Sequence, residues 1–425
     1  MPRRLIRVFE YETLRYPGER NGVPFTESDF HALVRFNEQH GNRYFTVVHQ
    51  GVRFSHYVGV LQVGKLTLEI LPKADQHSAG EESKVRWQGV LLEMLEECRL
   101  LTVHKGPQAS LLTSPGSLLE VYLQSFLEEM EHLLRQGLVK QYRTTASNQD
   151  TLKGSLHFSR HLRENAVHQE RFFVRHQTYD RQHPIHQLLY QALCLLPLFT
   201  TQPELAGQAS RLAACFPRMP QLQVSDRTFS AIRLDRKTRS YQTALNLARL
   251  LLLGYRADVR GGEDHALSIL FDMNALFEEY IYWQLKAAET DTIRVERQES
   301  TFFWAHKRVR PDILIRQLDA STGKTTNYIV DTKWKVLTRL QPDDDDLKQM
   351  YVYNQYYRAA KSVLLYPEVH QLGTMRGNFH LANPFLSQDP SGQIHGCEIR
   401  FVQVVENGRL RRNLGASLLA EMLTP

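Results

Sequence analysis

Two short apolar runs, each carrying a carboxylate at its edge, constrain this chain more than anything else in it. The first reads Arg310-Pro311-Asp312-Ile313-Leu314-Ile315; after a polar turn the second reads Tyr328-Ile329-Val330-Asp331-Thr332-Lys333-Trp334-Lys335. Runs of this length and composition are strands. Alternation along the second puts Asp331, Lys333 and Lys335 on one face and Val330, Thr332, Trp334 and Val336 on the other. An acid and a lysine beside so much apolar surface are costly unless each finds a partner. Asp312, at the start of the adjoining strand, can supply a second carboxylate. With a backbone carbonyl, that of Thr332, the two acids make a hard oxygen site suited to Mg²⁺, or to Mn²⁺ in its place. Such an ion polarises a phosphoryl oxygen and acidifies a bound water. Lys333 would then orient or deprotonate that water and offset charge gathering on the phosphate. The competing reading is a structural Asp–Lys pair. The apolar strands, the turn-like joint between them and the flanking helical patterns favour chemistry.

Around this pair the pattern is α/β. A helix is expected over 272–288, strands near 293–297, 302–306, 313–315 and 328–335, a second helix over 347–360, and further strands near 363–366 and 398–405. That order predicts a mixed sheet of four or five strands flanked by helices. Glu278 edges the apolar face made by Phe277 and Ile281 and could reach the site as a further metal or water ligand, with Glu279 as its rival. Gln349 and Tyr353 are four apart and share a helix face. The acidic run from Asp343 to Asp346 lacks the glycine and terminal glutamate of a calcium loop and reads as a helix start. His157 with His161, and His183 with His186, have ligand spacing but no intervening glutamate of the HExxH kind, so zinc is disfavoured.

Upstream, residues 1 to about 73 read as β-rich, with a hairpin turned near Gly64, then a polar loop over 74–84. From about 85 to 253 helical spacing dominates, and Gly261-Gly262 marks the next break. Gly59–Lys65 satisfies GxxxxGK, but Leu66 replaces the metal-binding hydroxyl and the segment sits in a hairpin. In Ser321-Thr322-Gly323-Lys324-Thr325, Leu318 stands where the first glycine belongs. A phosphate loop needs a strand running into a helix, so neither segment is expected to hold a nucleotide. The charge of +6 suits an anionic partner such as DNA without proving one. Four scattered cysteines form no CxxC pair and read as reduced core thiols of a cytoplasmic protein. The N-terminus lacks the apolar stretch of a signal peptide, and the greasiest run, 188–199, is too short to cross a membrane.

Several stretches together resemble the McrC family, the nuclease subunit of McrBC-type modification-dependent restriction systems. They are Asp272-Met-Asn-Ala-Leu-Phe-Glu278-Glu-Tyr, Arg310-Pro-Asp312, Asp331-Thr-Lys333 and Asp346-Leu-Lys-Gln349-Met-Tyr-Val-Tyr353. Upstream, Val58-Gly-Val-Leu-Gln-Val-Gly and Leu68-Glu-Ile-Leu-Pro-Lys73 add to the likeness. The resemblance implies a PD-(D/E)xK nuclease fold over 262–425, with Asp312, Asp331, Lys333 and Glu278 catalytic and Gln349 and Tyr353 in support. Helical spacing predicts a mainly helical middle over 111–261, and the resemblance implies that the β-rich region over 1–110 engages an McrB-like AAA+ GTPase oligomer and stimulates it. DNA is then the substrate. Two rivals stand beside this: a non-cleaving regulator of a GTPase ring, and a stand-alone repair or recombination nuclease.

Overall fold

The computed structural model describes residues 4–74, 80–101, 117–217, 219–256, 265–337, 339–370, 372–379 and 396–423. The chain forms two compact units, one of Met1–Leu101, Ser110–Leu118 and Leu270–Pro425, the other of Thr102–Ala109 and Leu119–Ile269. The expected divisions near residue 110 and at Gly261-Gly262 lie outside the described residues.

In the first unit, β1 (Arg4–Phe9) leads to α1 (Glu27–Gln39), a helix the sequence analysis did not anticipate. It opens on a capping box in which Thr26 and Asp29 satisfy each other's backbone N–H groups. The hairpin of β2 (Tyr57–Val63) and β3 (Leu66–Leu71) turns at Gly64-Lys65 as expected, so GxxxxGK is a hairpin here. Every residue of β3 is buried, which explains why its apolar pattern was so legible, and β1 pairs with it in parallel. Then α2 (Glu81–Glu97) begins inside the stretch 74–84 expected to be loop, of which 75–79 lie outside the described residues.

The second unit is helical around α3 (Leu118–Gln136) but also carries a sheet. Strands β4 (Gln141–Gln149) and β5 (Phe172–Asp180) pair antiparallel, joined by the short strand Ser155–Leu156. Helices α4 (Pro184–Leu195) and α5 (Gln242–Gly254) bury Leu188, Leu189, Leu247 and Leu251. Here the two histidines of the 183/186 pair are core groups. His186 lies 2.8 Å from the Arg181 carbonyl and 3.2 Å from the Tyr241 hydroxyl, and burial pulls its pKa down to about 4. A neutral, hydrogen-bonded ring is what an interior histidine becomes.

The first unit resumes with α6 (Met273–Ala287), capped by the Asp272 carboxylate, which accepts from Asn274 N and Ala275 N. There follow β6 (Ile293–Arg297), the hairpin β7 (Thr301–Trp304) and β8 (Lys307–Val309), β9 (Ile313–Leu318) and β10 (Thr325–Thr332). Next come α7 (Asp344–Tyr357), β11 (Ala359–Pro367), β12 (Met375–Asn378), β13 (Gly396–Val402) and α8 (Leu414–Leu423). The sheet order is β6-β9-β10-β11-β13-β12. Its middle, β10-β11-β13, is parallel and its edges antiparallel. The sheet therefore has six strands where four or five were expected; the extra one, β12, is an exposed edge with no apolar pattern to betray it. The Ser321–Thr325 segment is the turn between β9 and β10, as expected.

The two ends of the chain share this unit. Met273 N donates to the His56 carbonyl (2.9 Å), and Leu410 N to the Glu93 carboxylate (2.7 Å). The Trp334 indole donates to Glu10 Oε1 across 324 positions of sequence (2.8 Å). Cys98 and Cys397 are buried, but Cys194 and Cys215 are exposed, so two of the four thiols are not core groups. Among the described residues no helix is long and apolar enough to cross a membrane.

Candidate active site

Pairing of Ile313 with Val330 brings the residue before β9 and the residue after Val330 together at one end of the sheet. Those residues are Asp312 and Asp331. Asp331 also sits opposite Leu364 of parallel β11, near the carboxyl ends of adjacent parallel strands. Open α/β sheets place ligands at such ends.

Asp312 Oδ2 accepts from Thr332 N (2.8 Å) and from the Thr332 hydroxyl (3.0 Å). One oxygen of Asp312 is thus fixed by protein donors, and the carboxylate is oriented for its other oxygen to act. Thr332 therefore orients Asp312 through its amide and hydroxyl. Strand alternation predicts its side chain on the face opposite Asp331, with only its carbonyl facing the site. Asp331 is almost completely buried, and Lys333 Nζ pairs with its Oδ2 at 2.7 Å. Lys333 Nζ is also 3.5 Å from Asp346 Oδ1 and donates to Gln349 Oε1 at 3.3 Å. The Gln349 amide donates in turn to the Tyr353 hydroxyl (2.8 Å), which donates to the Arg310 carbonyl (2.9 Å). Each member has one sense available, so the relay from Lys333 to the entry of β9 locks the lysine's position.

Strand β10 stops at Thr332, two residues short of Trp334 and three short of Lys335. Lys335 consequently leaves the expected shared face and pairs with Asp343 on the surface. Trp334 turns into the interior against Phe277 and Glu10. The acidic run opens α7 rather than preceding it: Asp344, Asp345 and Asp346 form its first turn, and Asp343 at the N-cap makes no side-chain cap bond. Asp346 belongs to the lysine's environment instead, with Tyr366 donating to its other oxygen at 3.4 Å. The sequence signal for Asp346 was its i, i+3 spacing to Gln349, masked by three neighbouring aspartates.

The two glutamates of α6 separate. Glu278 accepts from Gln298 Nε2 (2.8 Å) and lies close enough to Asp312 to feel its charge; burial first, then that repulsion, raises its pKa. Glu279 is held by Arg297 and accepts from the Trp283 indole (2.8 Å). The backbone ties the same corner together, since Gln298 N donates to the Asp312 carbonyl at 3.0 Å.

Electrostatically the site is short of positive charge. Burial and the neighbouring Asp312 push the Asp331 carboxyl up to about 7, against the pull of Lys333. Burial also raises Asp312, against its bonds from Thr332. Burial pulls the Lys333 ammonium down, but Asp331, Asp346 and Asp312 outweigh it and hold it above the ordinary lysine range. Among the described residues no group of three or more His, Cys, Asp or Glu side chains is disposed to hold a metal ion. Asp312 and Asp331, two buried and mutually repelling carboxylates, suit an ion that keeps most of its own waters, as Mg²⁺ does.

The fold and the cluster define a class: an α/β protein with two carboxylates and a lysine gathered at the carboxyl end of a mixed sheet. The chain belongs to the McrBC family, whose profile, described as McrBC 5-methylcytosine restriction system component, matches residues 52–367. No curated protein sequence matches it significantly. It is similar in structure to a chain in the refined half-complex from the tetradecameric assembly of Thermococcus gammatolerans McrB AAA+ hexamers with bound McrC. The TM-score is 0.65 at 18% identity, covering 98% of this chain and 100% of that one. A second match, in the cryo-EM structure of the Thermococcus gammatolerans McrBC complex, has a TM-score of 0.49 at 18% identity, over 66% of this chain and 86% of that one.

Proposed function

We propose that this chain is the Mg²⁺-dependent endonuclease subunit of an McrBC-type restriction system, of PD-(D/E)xK type, cutting DNA in concert with an McrB-like AAA+ GTPase. The observation that carries this reading is the convergence of Asp312, Asp331 and Lys333 from two strands, with the lysine positioned by Gln349 and Tyr353. Asp312 and Asp331 would hold the metal, with the Thr332 carbonyl as the third protein oxygen. When bound, the ion supplies Lewis acidity to the phosphate and a more acidic water. Lys333 presents a fixed ammonium beside Asp331, where it neutralises charge developing on the phosphate and orients the attacking water. Glu278, whose pKa burial and Asp312 raise above the ordinary carboxylate range, adds an oxygen on the α6 side and can accept a proton from that water.

Nucleotide hydrolysis is assigned to the partner, because both GK segments lie in turns between strands with no helix N-terminus behind them. Residues 1 to about 110 remain the proposed stimulatory region. Deleting them would strip β1 and β3 and the Glu10 partner of Trp334 from the nuclease-bearing unit, so surface substitutions must test the idea instead. A second partner surface is favoured by the sheet module of the other unit, where Phe158, Leu162 and Val167 are each more than two-thirds exposed. Large apolar side chains left in water mark contact surfaces.

The decisive assay is cleavage of duplexes with and without 5-methylcytosine, in the presence and absence of the GTPase and GTP. Cutting that needs all components supports the proposal. Cutting by the chain alone, indifferent to partner and modification, would favour the stand-alone nuclease, and GTPase stimulation with no cutting the non-cleaving regulator.

A further inference from the structure

The β7–β8 hairpin is out of character with the rest of the surface. Its sequence, Ser300-Thr-Phe302-Phe303-Trp304-Ala-His306-Lys307-Arg308-Val-Arg310, contains three successive aromatics and three fixed cations and no acid. Soluble proteins rarely spend three adjacent large rings on solvent, yet Phe302, Phe303 and Trp304 are 59%, 48% and 71% exposed. Phe303 leans back on Tyr356 of α7, with ring centroids 5.6 Å apart. Phe302 is covered by the Arg308 guanidinium, 4.2 Å from its centroid. Lys307 and Arg308 make no ion pair among the described residues, and the nearest acid in sequence, Glu299, is already held by Arg316.

The hairpin is anchored to the site. The Tyr357 hydroxyl lies 2.7 Å from the Glu299 carbonyl and 3.2 Å from that of Val309, so it clasps both legs at their base, and Tyr356 donates to the Phe303 carbonyl at 3.3 Å. Both tyrosines belong to α7, the helix that carries Asp346, Gln349 and Tyr353. The second leg runs within three residues into Asp312. A rigid strand pair with basic flanks and outward rings thus projects from the metal-site corner.

We propose that this hairpin is a DNA-gripping element, resting on the nuclease reading above: Lys307 and Arg308 sit on backbone phosphates flanking the scissile one, and Phe302 and Trp304 pack against the sugars and bases between them. The unneutralised charge selects a polyanion. The flat rings select one with bases to stack on, which a protein or lipid surface does not offer.

The test uses the full-length chain and a short fluorescent DNA duplex, with Ca²⁺ in place of Mg²⁺ so that binding is read without cutting. Lys307→Ala/Arg308→Ala is expected to make the slope of log affinity against log salt shallower by about 1.8, two phosphate contacts at about 0.9 each. Phe302→Ala/Trp304→Ala is expected to weaken binding about tenfold at fixed salt with the slope unchanged. Thermal unfolding should match the wild type in both, because the substituted groups are surface-exposed. Wild-type affinity and slope in both variants, or a wild-type chain that does not bind the duplex, overturns the proposal. So does loss of self-association or of GTPase binding with DNA affinity intact, which would make the hairpin a protein contact. Asp331→Ala is run beside them. If it cuts like the wild type in Mg²⁺ while the hairpin variants still lose DNA, the nuclease assignment fails and the hairpin stands.

Discussion

Replacing Glu10 by Gln should abolish the pH dependence that this one carboxyl imposes on the fold. Glu10 is buried in the first unit, where its Oε1 accepts from Trp334 Nε1 (2.8 Å) and from Lys73 N (3.0 Å) and its Oε2 has no hydrogen-bond partner among the described residues. Burial raises its pKa from 4.5 to about 7, despite the two donors. The folded chain therefore keeps this proton to about pH 7, while the unfolded chain loses it near 4.5. Between those values the folded state binds more protons, so stability is full below 4.5 and falls as the pH rises through 7. At about 1.36 kcal/mol per pH unit the loss by pH 8 is roughly 3 kcal/mol. Gln keeps an acceptor for both donors and cannot ionise; its amide, placed where Oε2 lacked a partner, costs about 1–3 kcal/mol at every pH. Urea unfolding of both proteins across this pH range gives a difference in which the titration of Asp331 cancels, and the constant offset drops out of its change with pH. The variant should gain roughly 3 kcal/mol on the wild type from acid to alkaline pH. A difference that stays flat would show that Glu10 is not held protonated by burial, and the account of how the two chain ends share a core would be wrong.

Glu278→Gln should lower cleavage strongly while leaving unfolding nearly unchanged; Glu279→Gln, which loosens Arg297 and Trp283, should do the opposite. Kinetics and melting of the pair check this, and equal kinetic effects would undo the assignment. Cleavage should need Mg²⁺ or Mn²⁺, with Ca²⁺ supporting binding but not cutting, because the donors are hard oxygens; full activity after exhaustive chelation, or rescue by Zn²⁺ alone, would contradict it. The isolated chain should release no phosphate from GTP or ATP, and a turnover that survives purification to homogeneity would refute the assignment of nucleotide hydrolysis to the partner.

How much of this was legible depended on where apolar pattern and function coincide. Asp312, Asp331 and Lys333 stood out because they punctuate strands buried on both faces, where any charge is conspicuous. The hairpin of β2 and β3 and the helix after Asp272 were legible for similar reasons. Strand β4 was not: Gln-Tyr-Arg-Thr-Thr-Ala-Ser-Asn-Gln is half-buried at best, so its alternation carries no hydrophobic signal, and a mainly helical middle was expected where a sheet also stands. Asp346 was hidden in a run of acids that a helix start explains equally well. No local pattern could link Glu10 to Trp334, since that bond is made by the packing of the two chain ends. Lys335 was misplaced because alternation was extended past Thr332, where the ladder ends.

The central claim is that Asp331 and Lys333 do the chemistry, and phosphodiester cleavage by Asp331→Ala and Lys333→Ala proteins, assembled with the GTPase, GTP and Mg²⁺ on a 5-methylcytosine duplex, tests it most directly. Both should be inactive, losing cleavage by a factor of about a thousand or more, as when a group stabilising developing charge is removed. Both should still fold and still join the GTPase, since each change removes a site side chain rather than part of the core. Wild-type cutting by either variant would contradict the claim.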